Sequence, residues 1–275
     1  MPELAEVEYY RKQWDPGINH RIIAVMLHSR KRVFRFTRVR QFKSSLTGAR
    51  LLSSQASGKQ MLFRFSRQGW LGIHLGMTGE LRLEPASFRP ARHDHLVLYQ
   101  SKRALVFSDM RQFGAVRFEQ SPRPPEWWTS IGLPVTSPQF TPAVMCSFLS
   151  THRKLPIKAS LLLQRGFPGV GNWMADEILW RARIHPRRPS ASLSPDEVRA
   201  LWTSVRFVCR EAIRHIGHGF SDPPRNWLIH ERWSGVGKCP RDHSPLQREV
   251  IAGRTAAWCS KCQPFKQGGS KPRRT

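Results

Sequence analysis

The residues best placed to do chemistry stand at the start of the chain: Met1-Pro2-Glu3-Leu4-Ala5-Glu6. Methionine is readily trimmed before a small residue, which leaves Pro2 with a free secondary amine. An α-amino group has a pKa near ~8, against ~10.4 for lysine, so a useful fraction is neutral at pH 7 without burial. Attack of such an amine on an aldehyde-level carbon gives a cationic iminium that acts as an electron sink. That chemistry suits C1′ of a deoxyribose. Glu3 and Glu6 lie three apart and share a helix face directed towards its N-terminus. One carboxyl group can act as general acid on the sugar while the other positions the amine or a water. The same acids also suit an ordinary capped helix, whose macrodipole favours them in the first turn.

A second constellation lies near the other end. Of the five cysteines, Cys239, Cys259 and Cys262 crowd together in sequence, and an odd number argues against a disulfide framework. Such crowding points to a metal, and because tetrahedral zinc accepts imidazole nitrogen as readily as thiolate, Cys239, His243, Cys259 and Cys262 are a chemically sound set for one Zn2+. Asp242 is the alternative oxygen donor. Cys146 and Cys209 sit among apolar neighbours and are expected to be small core residues.

Elements must position both groups. Residues 3–13 read as a short helix stopped by Asp15-Pro16-Gly17. From Ile22 to Phe118 the pattern is one of short alternating stretches, such as 61–65, 81–83, 95–99 and 104–107, which predicts a β-sandwich or barrel-like domain. The Pro-rich segment 121–128 ends that region, and helical periodicity follows. Its last stretch opens on Ser194 with Glu197 three residues on, a capping box. Residues 218–238 form a Gly/Pro-containing connector, and 239–262 a small metal-pinned hairpin.

Composition bounds the partners. The 275 residues are 40% hydrophobic and 10% aromatic, enough for real cores, and no apolar run approaches the ~18 residues that span a bilayer. The acidic, amphipathic start is unlike a signal peptide, so an intracellular, non-secreted protein without membrane attachment is expected. Lys+Arg total 45 against 19 Asp+Glu, a net charge of +26, for which a polyphosphate backbone is the usual partner. A basic ribosomal or membrane-surface protein is the alternative from composition alone.

PELAEVE resembles the PELPEVE signature that opens members of the formamidopyrimidine-DNA glycosylase and endonuclease VIII family, with Ala5 where that signature has proline. The resemblance implies that Pro2 is the Schiff-base nucleophile, Glu3 the main acid/base and Glu6 a supporting carboxylate. Four further segments match in order. SGKQMLF (57–63) is similar to a hairpin in which Lys59 contacts DNA phosphate near the active site. HLGMTG (74–79) implies an intercalating Met77 and a phosphate contact at His74. Residues 92–114, ending in Asp109-Met-Arg111-Gln-Phe113-Gly, place Arg111 and Phe113 beside Met77. Everting a nucleotide leaves a hole and an orphaned partner base, which an apolar wedge with an aromatic ring and an arginine can fill.

Residues 157–186 resemble the family's helix–two-turn–helix. Gly169 and Gly171 permit tight turns there, Asn172 is expected to cap the next helix, and Lys158 and Asn172 become backbone-phosphate contacts. GRT (253–255) makes Arg254 the hairpin arginine that reaches a lesion-flanking phosphate. The implied fold is α+β: an N-terminal β-sandwich with its helix over 1–122, a helix–two-turn–helix domain over 123–217, a connector and zinc-finger hairpin over 218–265, and a disordered basic tail over 266–275. The implied activity is excision of a damaged base from double-stranded DNA with strand cleavage by β/δ-elimination, by a monomer. Met77, Arg111 and Phe113 favour the formamidopyrimidine branch. The connector is short where a loop would fold over 8-oxoguanine, so that base is not expected to be the best substrate. The rival reading is a noncatalytic protein that recognises damaged DNA on the same scaffold; it has no use for Pro2, Glu3 and Lys59.

Overall fold

A computed structural model describes residues 1–265, and the basic tail 266–275 lies outside the described residues. Two compact units divide the chain: Met1–Ile131 with Gly217–Phe220, and Gly132–Ile216 with the residues from Ser221 on.

The first unit opens with α1 (Leu4–Lys12). Two four-stranded antiparallel sheets follow. One has the order β1 (Ala24–Leu27), β6 (Asp94–Tyr99), β7 (Arg103–Asp109), β5 (Gly79–Pro85). The other runs β2 (Leu51–Ser57), β3 (Gln60–Phe65), β4 (Gly69–His74), β8 (Ala115–Gln120). Alternation decides which residues meet: Met61, Phe63 and Phe65 on β3, Leu71 and Ile73 on β4, Leu96 and Leu98 on β6, and Leu105 and Phe107 on β7 form one buried core. Trp14 joins it and donates its indole N–H to the Val106 carbonyl at 3.3 Å. The stretch expected to be wholly strands contains a helix, α2 (Val39–Leu46). Its buried residues, Phe42 and Leu46, are a single i,i+4 pair, too short a stripe to show in the sequence.

The helix α1 is anchored by Arg11, which is 9% exposed. Its guanidinium reaches Glu8 at 2.8 Å, Asp15 at 2.9 Å and the hydroxyl of Ser54 on β2. Behind the second sheet, α3 (Glu126–Thr129) brings Trp127 over β4. A Cβ on Gly72 would lie 2.3 Å from that ring, so only glycine admits it.

The second unit holds α4 (Pro142–Thr151), α5 (Ile157–Leu161), α6 (Asn172–Ala182), α7 (Pro195–Gly219, of which the residues up to Ile216 belong to this unit) and the hairpin β9 (Gln247–Ile251) and β10 (Arg254–Trp258). The capping box forms: Ser194 N–H donates to Glu197 at 2.9 Å and Glu197 N–H to the Ser194 hydroxyl at 3.2 Å. Cys209 is buried as expected, but Cys146 is exposed, because the buried face of α4 carries Met145 and Leu149.

A buried ionic cluster ties the hairpin to α6. Asp176, 1% exposed, accepts from the Lys158 ammonium at 2.5 Å, from Arg232 at 2.7 Å and from the Ala257 N–H of β10 at 3.2 Å. Beside it Glu177 accepts the Leu228 N–H at 2.7 Å and the Arg181 guanidinium at 2.7 Å, while burial raises its pKa to about 7. Removing one partner of such a cluster strands the others. Asp176→Ala is expected to cost about 3–5 kcal/mol by leaving two buried cations uncompensated. Chemical denaturation checks this, and a loss below about 1 kcal/mol, in the range of an exposed pair, would contradict it.

Candidate active site, wedge and metal centre

The first turn of α1 brings Pro2, Glu3 and Glu6 together. Glu3 is the N-cap residue, and the Glu6 carboxylate accepts its N–H at 3.2 Å while the Glu3 side chain returns to the Glu6 amide. The capped-helix geometry is therefore present, yet Glu3 is only 3% exposed. A carboxylate that merely caps a helix gains little from leaving water. Pro2 is half-buried immediately before it. Lys59, 8% exposed, follows Gly58 in the two-residue turn joining β2 to β3; Gly58 takes φ +58°, as such turns require. The helix α1 packs along both strands of that hairpin.

His74 ends β4, opposite Gln60 in the ladder. Its Nδ1 accepts the Gly76 N–H at 3.0 Å, which leaves the proton on Nε2. Burial, reinforced by the charges of Lys59, Arg35 and Arg117, lowers its pKa to about 4. It is thus a neutral hydrogen-bond donor at physiological pH, able to serve a phosphate oxygen without adding charge.

Of the three residues read as a wedge, Arg111 and Phe113 are in contact, and Met77 stands on the turn beside them. Met77 is 42% exposed and Phe113 41%, with the Arg111 guanidinium 4.8 Å from the Phe113 ring centre. Gly76 has φ +64°, and a Cβ there would stand 2.4 Å from the backbone of Phe113 and Gly114, so glycine lets the two turns touch. Asp109 is the residue that sequence reasoning passed over. Fully buried, it accepts the Thr78 hydroxyl and the Gly114 N–H, each at 2.7 Å, and so fastens the Met77 turn to the Phe113 turn. Its position two before Arg111 was the available signal.

In the second unit, Asn172 is not the cap of α6. Gly171 is, and Asn172 is the first helical residue, its amide donating to the Thr255 carbonyl at 3.0 Å. Gly169 turns the chain before it at φ +87°. Lys158, expected at a phosphate, is fully buried, and its ammonium serves Asp176 and, at 2.8 Å, the same Thr255 carbonyl. Together they fix the strand next to Arg254, which is exposed beyond the two-residue turn Ala252-Gly253.

At the base of this hairpin Cys239, Asp242, Cys259 and Cys262 offer donor atoms all within 4.8 Å of one another. The sulfurs of Cys239 and Cys262 are 3.8 Å apart, and an Asp242 oxygen is 3.4 Å from both the Cys259 and Cys262 sulfurs. Tetrahedral bonds of ~2.3 Å to sulfur and ~2.0 Å to oxygen give edges of about these lengths. The expectation for His243 is corrected. It takes φ +58° and stands outside the donor set, while Asp242, itself exposed, reaches the cysteine sulfurs and accepts the Ser244 N–H at 3.0 Å.

Two family domains cover this architecture: the formamidopyrimidine-DNA glycosylase N-terminal domain over residues 1–116 and the formamidopyrimidine-DNA glycosylase H2TH domain over 131–223. The chain belongs to the formamidopyrimidine-DNA glycosylase family. It is 33% identical to the formamidopyrimidine-DNA glycosylase of Thermomicrobium roseum, covering 96% of this chain and all of that one. It is 30% identical to that of Chloroflexus aurantiacus over 96% of this chain and 98% of the relative. Among solved structures, the Lactococcus lactis Fpg in complex with abasic-site DNA superposes with a TM-score of 0.86 at 27% identity, over 96% of this chain and 100% of that chain. MutM bound to DNA containing carbocyclic 8-oxo-G gives 0.86 at 28%, with the same coverage. Among the described residues no helix is long and apolar enough to cross a membrane.

The metal geometry separates two adjacent side chains of this family member. Asp242→Ala is expected to weaken metal retention at least about tenfold in chelator competition, as loss of one of four donors should. His243→Asn, which keeps a residue tolerant of φ > 0, is expected to retain about one metal ion per chain. The reverse pattern would return His243 to the ligand set.

Proposed function

We propose that the chain excises a damaged base from double-stranded DNA and then cuts the strand, acting as a monomer. The observation that carries the reading is the burial of Glu3 beside Pro2, at the head of a helix in a chain with full-length kinship to DNA glycosylases. With Met1 removed, the Pro2 nitrogen bonds to C1′ and the C1′–base bond breaks, the base leaving with the proton that the Pro2 nitrogen gives up. Glu3 donates to the sugar ring oxygen as the ring opens to the iminium. Loss of a C2′ proton then expels the 3′ phosphate by β-elimination, and a second elimination expels the 5′ phosphate. Glu6 orients the first turn, and Lys59 and His74 take phosphates flanking the reacting sugar. Met77, Arg111 and Phe113 fill the vacated stack, and Asn172 and Arg254 hold the backbone. The Cys239, Asp242, Cys259 and Cys262 set suits one structural Zn2+, which would stiffen the hairpin bearing Arg254.

Borohydride trapping on abasic-site duplex tests this reading. The wild type is expected to form a covalent adduct, and Pro2→Gly to form it more slowly. Glu3→Gln should lose about 10²-fold or more in base excision, the range of general acid–base catalysis. Duplex binding with no trapped species would favour the noncatalytic damaged-DNA-binding reading instead.

Residues 220–227, between α7 and the short turn Leu228–His230, are too few to fold far over an oxidised purine. We infer that 8-oxoguanine is excised more slowly than an oxidised pyrimidine. Single-turnover rates on a panel of defined lesions check the order, and an 8-oxoguanine rate opposite cytosine equal to the fastest pyrimidine rate would reverse it.

A further inference from the structure

One pocket of the first unit shares only His74 with the scheme above. It opens on the outer face of the β2-β3-β4-β8 sheet, with a volume of about 280 Å³, and Arg35, Phe36, Gln60, Gly72, His74 and Arg117 line it. The ladder register explains the grouping. Gln60 faces His74 across β3 and β4, and Gly72 faces Arg117 across β4 and β8, so all four side-chain positions share one face. Gly72 carries no side chain there, and the Trp127 ring packs against it on the same face.

The lining is one-sided in charge. The guanidiniums of Arg35 and Arg117 each lie 4.8 Å from the centre of the Phe36 ring, and Arg117 also lies 5.6 Å from that of Trp127. Phe36 itself is 54% exposed, an uncommon place for a large apolar ring that serves no core. Its π-face partly offsets the repulsion between two cations held close together. Among the described residues neither arginine forms an ion pair. Arg35 donates only to the carbonyls of Arg32 and Gly114, at 3.1 and 2.7 Å. The acid whose charge acts on Arg35, Asp109, already accepts from Thr78 and Gly114. Burial and the charges of Arg32 and Arg117 accordingly lower the pKa of Arg35. His74, neutral with its proton on Nε2, and the amide of Gln60 add neutral donors to the two cations.

A concave site with two unneutralised guanidiniums, further N–H donors and no carboxylate suits an occupant that only accepts hydrogen bonds and carries negative charge. Paired guanidiniums match the fork of phosphate oxygens. The volume exceeds that of a single carboxylate and admits a phosphodiester with part of its sugar. We propose that the Arg35–Phe36–Arg117 pocket is a subsite for an internal phosphodiester of the DNA backbone, next along the strand from the phosphates taken by Lys59 and His74. The position along the strand rests on the function proposed above; the anion chemistry of the pocket does not.

The salt dependence of binding to undamaged duplex tests the subsite without any base excision. Wild type is compared with the double variant Arg35→Gln/Arg117→Gln and with Phe36→Ala, which alters no formal charge. Loss of one phosphate contact is expected to reduce the slope of log Kobs against log salt by about 0.9. Phe36→Ala should weaken binding several-fold, because the guanidiniums lose the ring that sets them. A double variant with the wild-type slope would overturn the proposal, as would Phe36→Ala binding like wild type. Covalently closed circular duplex has no terminal phosphates, so a slope change seen only on linear DNA would also overturn it. Borohydride trapping by the wild type, run in parallel, reports on the catalytic reading alone.

Discussion

A carboxylate taken out of water must be saturated with donors, and in this chain that demand organises both units. Asp109 meets it by joining the Met77 turn to the Phe113 turn, which carry two exposed apolar side chains. Asp176 meets it with Lys158, Arg232 and the Ala257 amide, which seats the metal hairpin on α6. Glu177 meets it with Arg181 and the amide of Leu228, which starts the connector from a set point. Each buried acid thereby fixes a segment that faces DNA in the proposed function.

The same economy shapes the surface. Only 19 acidic residues accompany 45 basic ones, and several acids are consumed inside, so the exterior charge is left cationic. In the proposed function that excess supplies a nonspecific electrostatic hold on duplex DNA, and neutral donors such as His74 would add geometry without further repulsion among cations. The cost of the arrangement is cations crowded side by side, and the Phe36 ring is placed where the guanidiniums of Arg35 and Arg117 would otherwise confront one another.

Much of the fold was legible because its signals are periodic or local. The strands around Phe63, Leu98 and Phe107 alternate cleanly, and the Ser194–Glu197 box needs only three residues of context. Helix α2 was hidden because only Phe42 and Leu46 mark its buried face. The misread site residues share a different cause: each depends on a partner distant in sequence. Lys158 reads as a surface cation until Asp176 and Thr255 close over it. Asn172 reads as a cap until the hairpin carbonyl claims its amide. His243 reads as a ligand by chemistry alone, yet Asp242 stands in the donor set in its place. Cys146 looked buried by its neighbours in sequence, but those neighbours occupy the other side of α4.

In the proposed function Pro2 is the residue whose nitrogen bonds to the sugar carbon. Peptide mapping by mass spectrometry of the borohydride-trapped complex on abasic-site DNA addresses it directly. The account predicts a reduced deoxyribose remnant on the N-terminal peptide, attached to Pro2 with Met1 absent. A remnant on the peptide containing Lys59, with Pro2 unmodified, would contradict it.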